Sequence, residues 1–469
     1  MKKFLSASVA IFAILWSVWF FAFRHYLIWL EGYSFFSALP DFFSQYMNAK
    51  EGLPGYVGAF LHQFYAMPAA GAAIQAAMAV LPALCLAVAV MRLFKEPEKV
   101  LWIAFLPIPV VAYRQFWDLN MYYTVIFSLV SVAFVFAVLL ATSFRKPQIQ
   151  LPKILGTRFM TLAVAVICTV LSLYFLLAAD ANNRKHEEYA RLEYLGENHK
   201  WNDILKSVTP KDASADELKR AYALLALSET GNLAEWAFRY GLDSQNNFVF
   251  PDKVDPLYLN FNSLFYQCNA MHNGVIQQSY QQGIQSVTGV SFSMVRRLAD
   301  TYLALKDYAL AKKYIDILAH STCHGKWVKK RLPQLEAIRT MVPAYEYDAN
   351  QSNIANFIHT ISSMVDMNRD NRKYADLLFC ALLTEEEGEM FKSMFRNLAV
   401  YQYPSGKDLP RLYEEALILI AMAEPEVLNG FTISVDTQQR FSDYVGLMNA
   451  GRGTQALRKH ADTYWAYSY

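Results

Sequence analysis

Residues 155–200 read LGTRFMTLAVAVICTVLSLYFLLAADANNRKHEEYARLEYLGENHK. The first half, to Ala179, is a near-continuous apolar run long enough to cross a hydrocarbon core of about 30 Å as a helix. From Asp180 the chain turns abruptly to Asn, Arg, Lys and Glu, with apolar residues at helical intervals. One stretch therefore contains both halves of the protein: a membrane region over 1–180 and a water-facing helical region over 181–469. The expected fold class is all-α, with about five membrane spans followed by helical hairpins.

Working back toward the start, Lys2 and Lys3 precede an apolar run at 4–23 that ends in Phe21, Ala22, Phe23 and Arg24. It is longer than a signal-peptide core and has no small-residue cleavage site, which fits an uncleaved first span. Further spans are expected at 68–93, 100–113, 121–144 and 155–179. The third is short and contains Pro107 and Pro109, which interrupt backbone hydrogen bonding. Charge placement supports it. The short loops holding Arg92, Lys95 and Lys99, and then Arg145, Lys146, Lys153 and Arg158, are both basic. By the positive-inside rule both are cytoplasmic, so the chain crosses twice between them. With Lys2 and Lys3 also inside, five crossings place everything after Asp180 outside. Topology fixes only the side, outside the cytoplasm; in a bacterial inner membrane that side is the periplasm, the expected location of the carboxyl-terminal region. The loop at 24–67 would lie on that side, and its second half, Tyr56 to Tyr65, has helical apolar spacing suited to the interface.

Composition excludes several classes. The net charge of +2 is spread along the chain, without the clustered Lys and Arg that phosphate backbones need, so nucleic acid is not an expected partner. Cys85 and Cys168 lie in apolar segments, and Cys268, Cys323 and Cys380 have no paired spacing. That argues against a disulfide framework. No Asp, Glu, Lys or Arg occupies the middle of a span, as ion-coupled transport usually requires. No phosphate loop, nucleophile elbow or His-Glu-x-x-His pair is present, and no cofactor is expected.

In the water-facing part, Ser214 to Glu217 and Thr384 to Glu387 fit the capping box. The stretch Leu298 to Ile315 has the layout of a tetratricopeptide unit: Ala299 where two helices approach, Tyr302 in the groove, a Lys306-Asp307-Tyr308 turn, and Ala311 opposite. Tyr222 to Tyr240 and Tyr189 to Val208 are weaker copies. Breaks are expected near Pro210, Asn246 to Pro256, Pro343 and Tyr403 to Lys407. Phe431 to Val435 reads as an extended connector, and the aromatic Tyr464 to Tyr467 end as a docking segment.

Candidate chemistry falls into three groups. Glu31 and Asp41 in the first outer loop, with Asp118 and Arg114 near a later mouth, are placed as the acidic catalytic residues of lipid-linked glycosyltransferases or other envelope-polymer enzymes would be. His320, Cys323 and His324 share a helical face and could offer soft ligands, although no fourth ligand or standard zinc spacing accompanies them. Tyr302 and Tyr308 of the repeat-like unit, with Arg114, are candidate binding residues. The favoured expectation is a membrane-anchored scaffold whose helical domain binds a protein or peptide.

The Gly52-Leu53-Pro54-Gly55 turn with Phe60 to Phe64, the Gly231 to Glu235 hairpin, the segment Leu409-Pro410-Arg411-Leu412-Tyr413-Glu414-Glu415-Ala416 and the aromatic end together carry a resemblance. The chain resembles an uncharacterised family of bacterial inner-membrane proteins with several amino-terminal spans and a tetratricopeptide-like helical domain. The resemblance implies this architecture and brings no activity with it.

Overall fold

The computed structural model describes residues 2–144, 149, 158–286, 288–345, 357–385 and 387–468. Arg145, Lys146, Lys153 and Glu386, which figure in the sequence reading, lie outside the described residues. Among those described the chain is helical and forms no strand, only an isolated bridge between Phe94 and Ile149.

The amino-terminal helices are α1 (Lys2–Ala22), α2 (Arg24–Tyr33), α3 (Pro40–Asn48), α4 (Gly52–His62), α5 (Pro68–Leu93), α6 (Pro107–Gln115), α7 (Tyr122–Phe144), α8 (Arg158–Leu177) and α9 (Ala181–Glu197). Four of them, α1, α5, α7 and α8, are long and apolar enough to cross a membrane. The third expected span is not one long helix. It is a 3-10 segment, Leu101–Phe105, followed by the nine-residue α6, because Pro107 and Pro109 deny the backbone the amides a continuous helix would need.

The short segment nevertheless runs from one end of α1 to the other. Phe105 packs on Phe4 with ring centroids 4.6 Å apart, while Phe116 lies 5.3 Å from Phe23 and accepts a 2.8 Å hydrogen bond from Tyr26. Helical rise over that distance in sequence is about 16 Å, and the rings at each end reach the rest. The ends of this bundle are chemically distinct. Phe4, the Phe94–Lys95 corner and Ile149 share one end, where the Lys95 amide donates to the Ile149 carbonyl. Phe23 to Tyr33, Phe116 to Met121 and α9 share the other, where the Glu187 carboxylate accepts the backbone amides of His25 and Tyr26.

The chain forms two compact units, Met1–Arg191 with Gln282–Val342, and Leu192–Gln281 with Pro343–Tyr469. The composition boundary at 180 therefore does not coincide with a packing boundary. In the first unit the helices Phe292–Ala304 and Tyr308–Ala319 form a hairpin in which Ala299 and Ala311 are fully buried and allow close approach. Lys306 takes φ +59° in the turn, and the Asp307 side chain caps the second helix by accepting from the Leu310 amide. Tyr302 stacks on Tyr314, with centroids 5.7 Å apart.

The second unit is built around helices buried on nearly every face. Ala221 to Ser228 of Glu217–Glu229 and Tyr374 to Thr384 of Arg372–Thr384 are all buried, as expected of helices without a solvent stripe. Of the weaker repeat copies, Tyr222 to Tyr240 is incomplete: after Gly231, at φ +71°, the partner helix Leu233–Trp236 is a single turn. The aromatic end docks, with Trp465 buried against Phe441 and Tyr444.

Both expected capping boxes are corrected. Ser214 lies inside Pro210–Ala215, and Asp216 caps the next helix; the box that forms is Thr209 with Asp212, set by Pro210 at the first helical position. Thr384 ends a helix instead of starting one, its hydroxyl donating back to the Ala381 carbonyl.

Candidate functional site

Glu31 is the most chemically loaded of the expected residues. Phe23 breaks the helix between α1 and α2, and the short α2 carries Glu31 into the interior of the first unit, where 1% of it is exposed. Arg296 Nη1 lies 3.0 and 3.2 Å from its two oxygens, and His324 Nε2 lies 2.7 Å from Oε1. The other ring nitrogen of His324 meets the Ser321 hydroxyl at 2.6 Å, and its face lies on Phe292, centroids 4.2 Å apart. Burial pushes the Glu31 carboxyl up, but the Arg296 charge, the hydrogen bond from His324 and the charge of that ring outweigh it and hold it below the ordinary 4.5.

Nearby lies His62, the last residue of α4, wholly buried with neither ring nitrogen hydrogen-bonded. Burial brings its pKa down to about 3, with the Glu31 charge pulling the other way. The ring is neutral at physiological pH. Next to it, Gln63 Oε1 accepts the Thr322 amide at 3.1 Å, and the Ala38 amide donates to the His320 carbonyl. The cluster thus ties the 24–67 loop to the helices of 292–338. Sequence reading picked out Glu31 and His324 for separate reasons and missed Arg296, Ser321 and His62. Arg296 had a signal, a cation beside the apolar face of a repeat-like helix. His62 had none, being, with Gln63, a polar pair inside an otherwise apolar run.

The other expected catalytic residues lie elsewhere and are otherwise engaged. Asp118 caps α7, accepting the Thr124 amide and hydroxyl at 2.7 Å each and the Tyr123 amide at 3.3 Å. Arg114 lies over the Tyr123 ring, 4.7 Å from its centroid, and serves the same turn. Asp41 is exposed in the first turn of α3, where it favours the helix dipole. The expected convergence of Glu31, Asp41 and Asp118 on one cavity is therefore corrected: each is drawn to a different helix terminus or ion pair.

Among the ligand candidates, His320 is exposed and its ring meets the Asp316 carbonyl, while His324 points the other way to Glu31. Cys323 is half-buried, its thiol pushed up by burial and by the Glu31 charge. No group of three or more metal-holding side chains forms among the described residues. Tyr302 is interior to its hairpin, and Tyr308 is half-buried at the start of the second helix.

The second unit holds an open cleft of about 410 Å³ lined by Glu235, Lys407, Asp408, Arg411, Thr432 and Asp436, among others. Its wall is the Leu409 to Ala416 segment. Arg411 pairs with Glu415 at 2.7 Å and with Asp462, Glu414 accepts from the Ser434 amide and hydroxyl, and Tyr413 donates to the buried Asp376 at 2.5 Å. The rim is strained. Asp408 takes φ +56°, and a Cβ on Gly406, itself at φ +63°, would fall 1.8 Å from the Gly430 carbonyl oxygen.

With this geometry in view, comparison with known proteins places the chain in a family. It belongs to the Family of unknown function (DUF6057), whose model matches residues 1–179 and 146–469, which together span the chain. No curated protein and no solved structure matches it.

Proposed function

We propose that the protein is a membrane-anchored interaction protein of a bacterial cell envelope, with five crossings of the inner membrane and a periplasmic helical region that binds a protein or peptide. The observation that carries the binding reading is the charged cleft at Lys407, Arg411 and Asp436, which is open, while of the expected catalytic carboxylates Glu31 and Asp118 are held by partners of their own and Asp41 lies apart on an exposed helix turn. A lining that holds Lys407 together with Asp408 and Asp436 suits a polar segment that brings both signs of charge. The hairpin of 292–319 supports the reading in a second way. It resembles a tetratricopeptide unit, an architecture that commonly presents binding surfaces.

Sidedness rests on charge. Lys95 lies at the bundle end that also holds Phe4 and Ile149, and Arg92 and Lys99 flank it in the sequence. By the positive-inside rule that end faces the cytoplasm, and α9 leaves from the opposite one. Two measurements test the proposal. Impermeant thiol labelling of intact cells should modify a cysteine placed at Lys185 and spare one at Lys95; the reverse pattern overturns the periplasmic assignment. A photo-crosslinking residue at Lys407 or Asp436 should capture a discrete partner, and the double reversal Lys407→Glu, Asp436→Lys should lose it. Crosslinks from neither position in correctly inserted protein would refute the cleft as the binding surface.

A further inference from the structure

The loop at 24–67 contains two short helices whose apolar faces are only half covered. At 100° per residue, Leu39, Phe43 and Met47 fall within an arc of about 80° beside and on α3, with Phe42 and Tyr46 adjoining it and Asp41, Ser44, Gln45 and Asn48 on the far side. Phe42 and Tyr46 are buried, whereas Leu39, Phe43 and Met47 are exposed by 45%, 41% and 38%. In α4 the face formed by Gly55, Gly58, Ala59 and His62 is buried. Gly58 lies so close to the Asn120 carbonyl that a Cβ would fall 2.2 Å from its oxygen. The opposite face carries Leu53, Val57 and Phe60 and no charged residue, and Leu53 and Phe60 are exposed by 49% and 39%. Water is a poor covering for such a surface.

We propose that this hairpin is seated in the lipid leaflet at the end of the bundle opposite the basic loops, with Leu39, Phe43, Met47, Leu53 and Phe60 turned into the acyl chains. The occupant follows from continuity with the membrane-facing helices. Trp16 Nε1 donates to the Ala69 carbonyl at 3.0 Å, so the start of α5 lies level with Trp16, six residues before α1 ends. That is a depth of about 9 Å below the α1 terminus. The chain from Phe60 to Met67 has to descend to that depth to begin α5, and exposed Met67 leads directly into it. The same leaflet that covers the outward faces of α5 and α7 therefore reaches α4. Interfacial helices of this kind bury an apolar face some 5–10 Å deep. The proposal concerns depth alone and holds for either sidedness of the bundle.

The test is nitroxide accessibility in the full-length protein reconstituted in nanodiscs. Single cysteines replace Phe43 and Phe60 in a background with the five native cysteines changed to Ala, with Val130→Cys on the exposed face of α7 and Asp41→Cys as references. Labels at 43 and 60 should show an oxygen-over-nickel accessibility ratio shifted to the level of Val130 and well above that at Asp41. A ratio matching Asp41 places the face in water and overturns the proposal; closure to both reagents means that protein, such as a second copy, covers it and overturns it equally. The unmodified chain gives an independent reading. A lipid-dissolved diazirine should label the peptide holding Phe43 and Phe60 along with those of α5 and α7, and labelling of α5 and α7 alone refutes the seat.

Discussion

Glu31 carries its charge in the interior of the first unit because Arg296 and His324 replace the water it loses. Removing one member of such a group leaves the other stranded. Glu31→Gln should lower stability by roughly 3 kcal/mol, the low end for a broken buried pair because part of Arg296 reaches solvent. Thermal unfolding in detergent checks this, and Arg296→Lys should lose less. The acid limb has its own sign. His62 has a folded pKa of about 3 against an ordinary 6.5, so between those values the unfolded chain binds the extra proton and stability falls as pH falls. Its contribution to the slope approaches about 1.4 kcal/mol per pH unit, and His62→Gln should flatten the melting-temperature profile between pH 6.5 and 4. Glu31 adds loss only below its ordinary range, since its folded pKa is depressed. An unchanged profile in the His62 variant would show that its imidazole is solvated in the folded protein. The residue scale is also where sequence reading was blindest, because Glu31 and Arg296 become partners only when α2 and the 292–304 helix meet.

Elements were far more legible. An apolar run of twenty or so residues is a helix in lipid whatever its neighbours do, since backbone groups there have no other partners. The third segment shows the limit of that rule: hydropathy marked its place, and the prolines forced a 3-10 turn and a short helix that still reaches both ends of α1. Close approach is decided by glycine in α4. Gly58→Ala should cost about 1–3 kcal/mol, the usual toll of overpacking, because the atom it meets is backbone. Gly446→Ala, in an exposed helix interior with nothing within 4 Å, should stabilise by roughly 0.5–1 kcal/mol through helix propensity. Chemical or thermal unfolding of the two variants side by side reads the contrast. The misplaced capping boxes belong to this scale too. Thr384 satisfies the four-residue pattern, but its hydroxyl finds the Ala381 carbonyl of its own helix first.

At the scale of the whole molecule, the first unit includes 282–342, so all the spans without that segment are not a complete unit. A chain ending at residue 191 should insert and then aggregate or be degraded, because the 282–342 helices that meet Ser34, Ala38, Gln63 and Glu31 are gone. Equal yield and monodispersity of that truncation would contradict the division. The sequence by itself determined the all-helical class, the long apolar helices of the amino-terminal half and the 292–319 hairpin. Those features depend on local hydrophobic period and on solvent, and both are written residue by residue. Only the tertiary structure decided that Glu31 belongs with Arg296 and His324, that Asp118 and Arg114 serve one turn, and that the hairpin joins the membrane helices. Those facts depend on pairings between residues as much as 293 apart along the chain, and a pairing has no local period from which to read it.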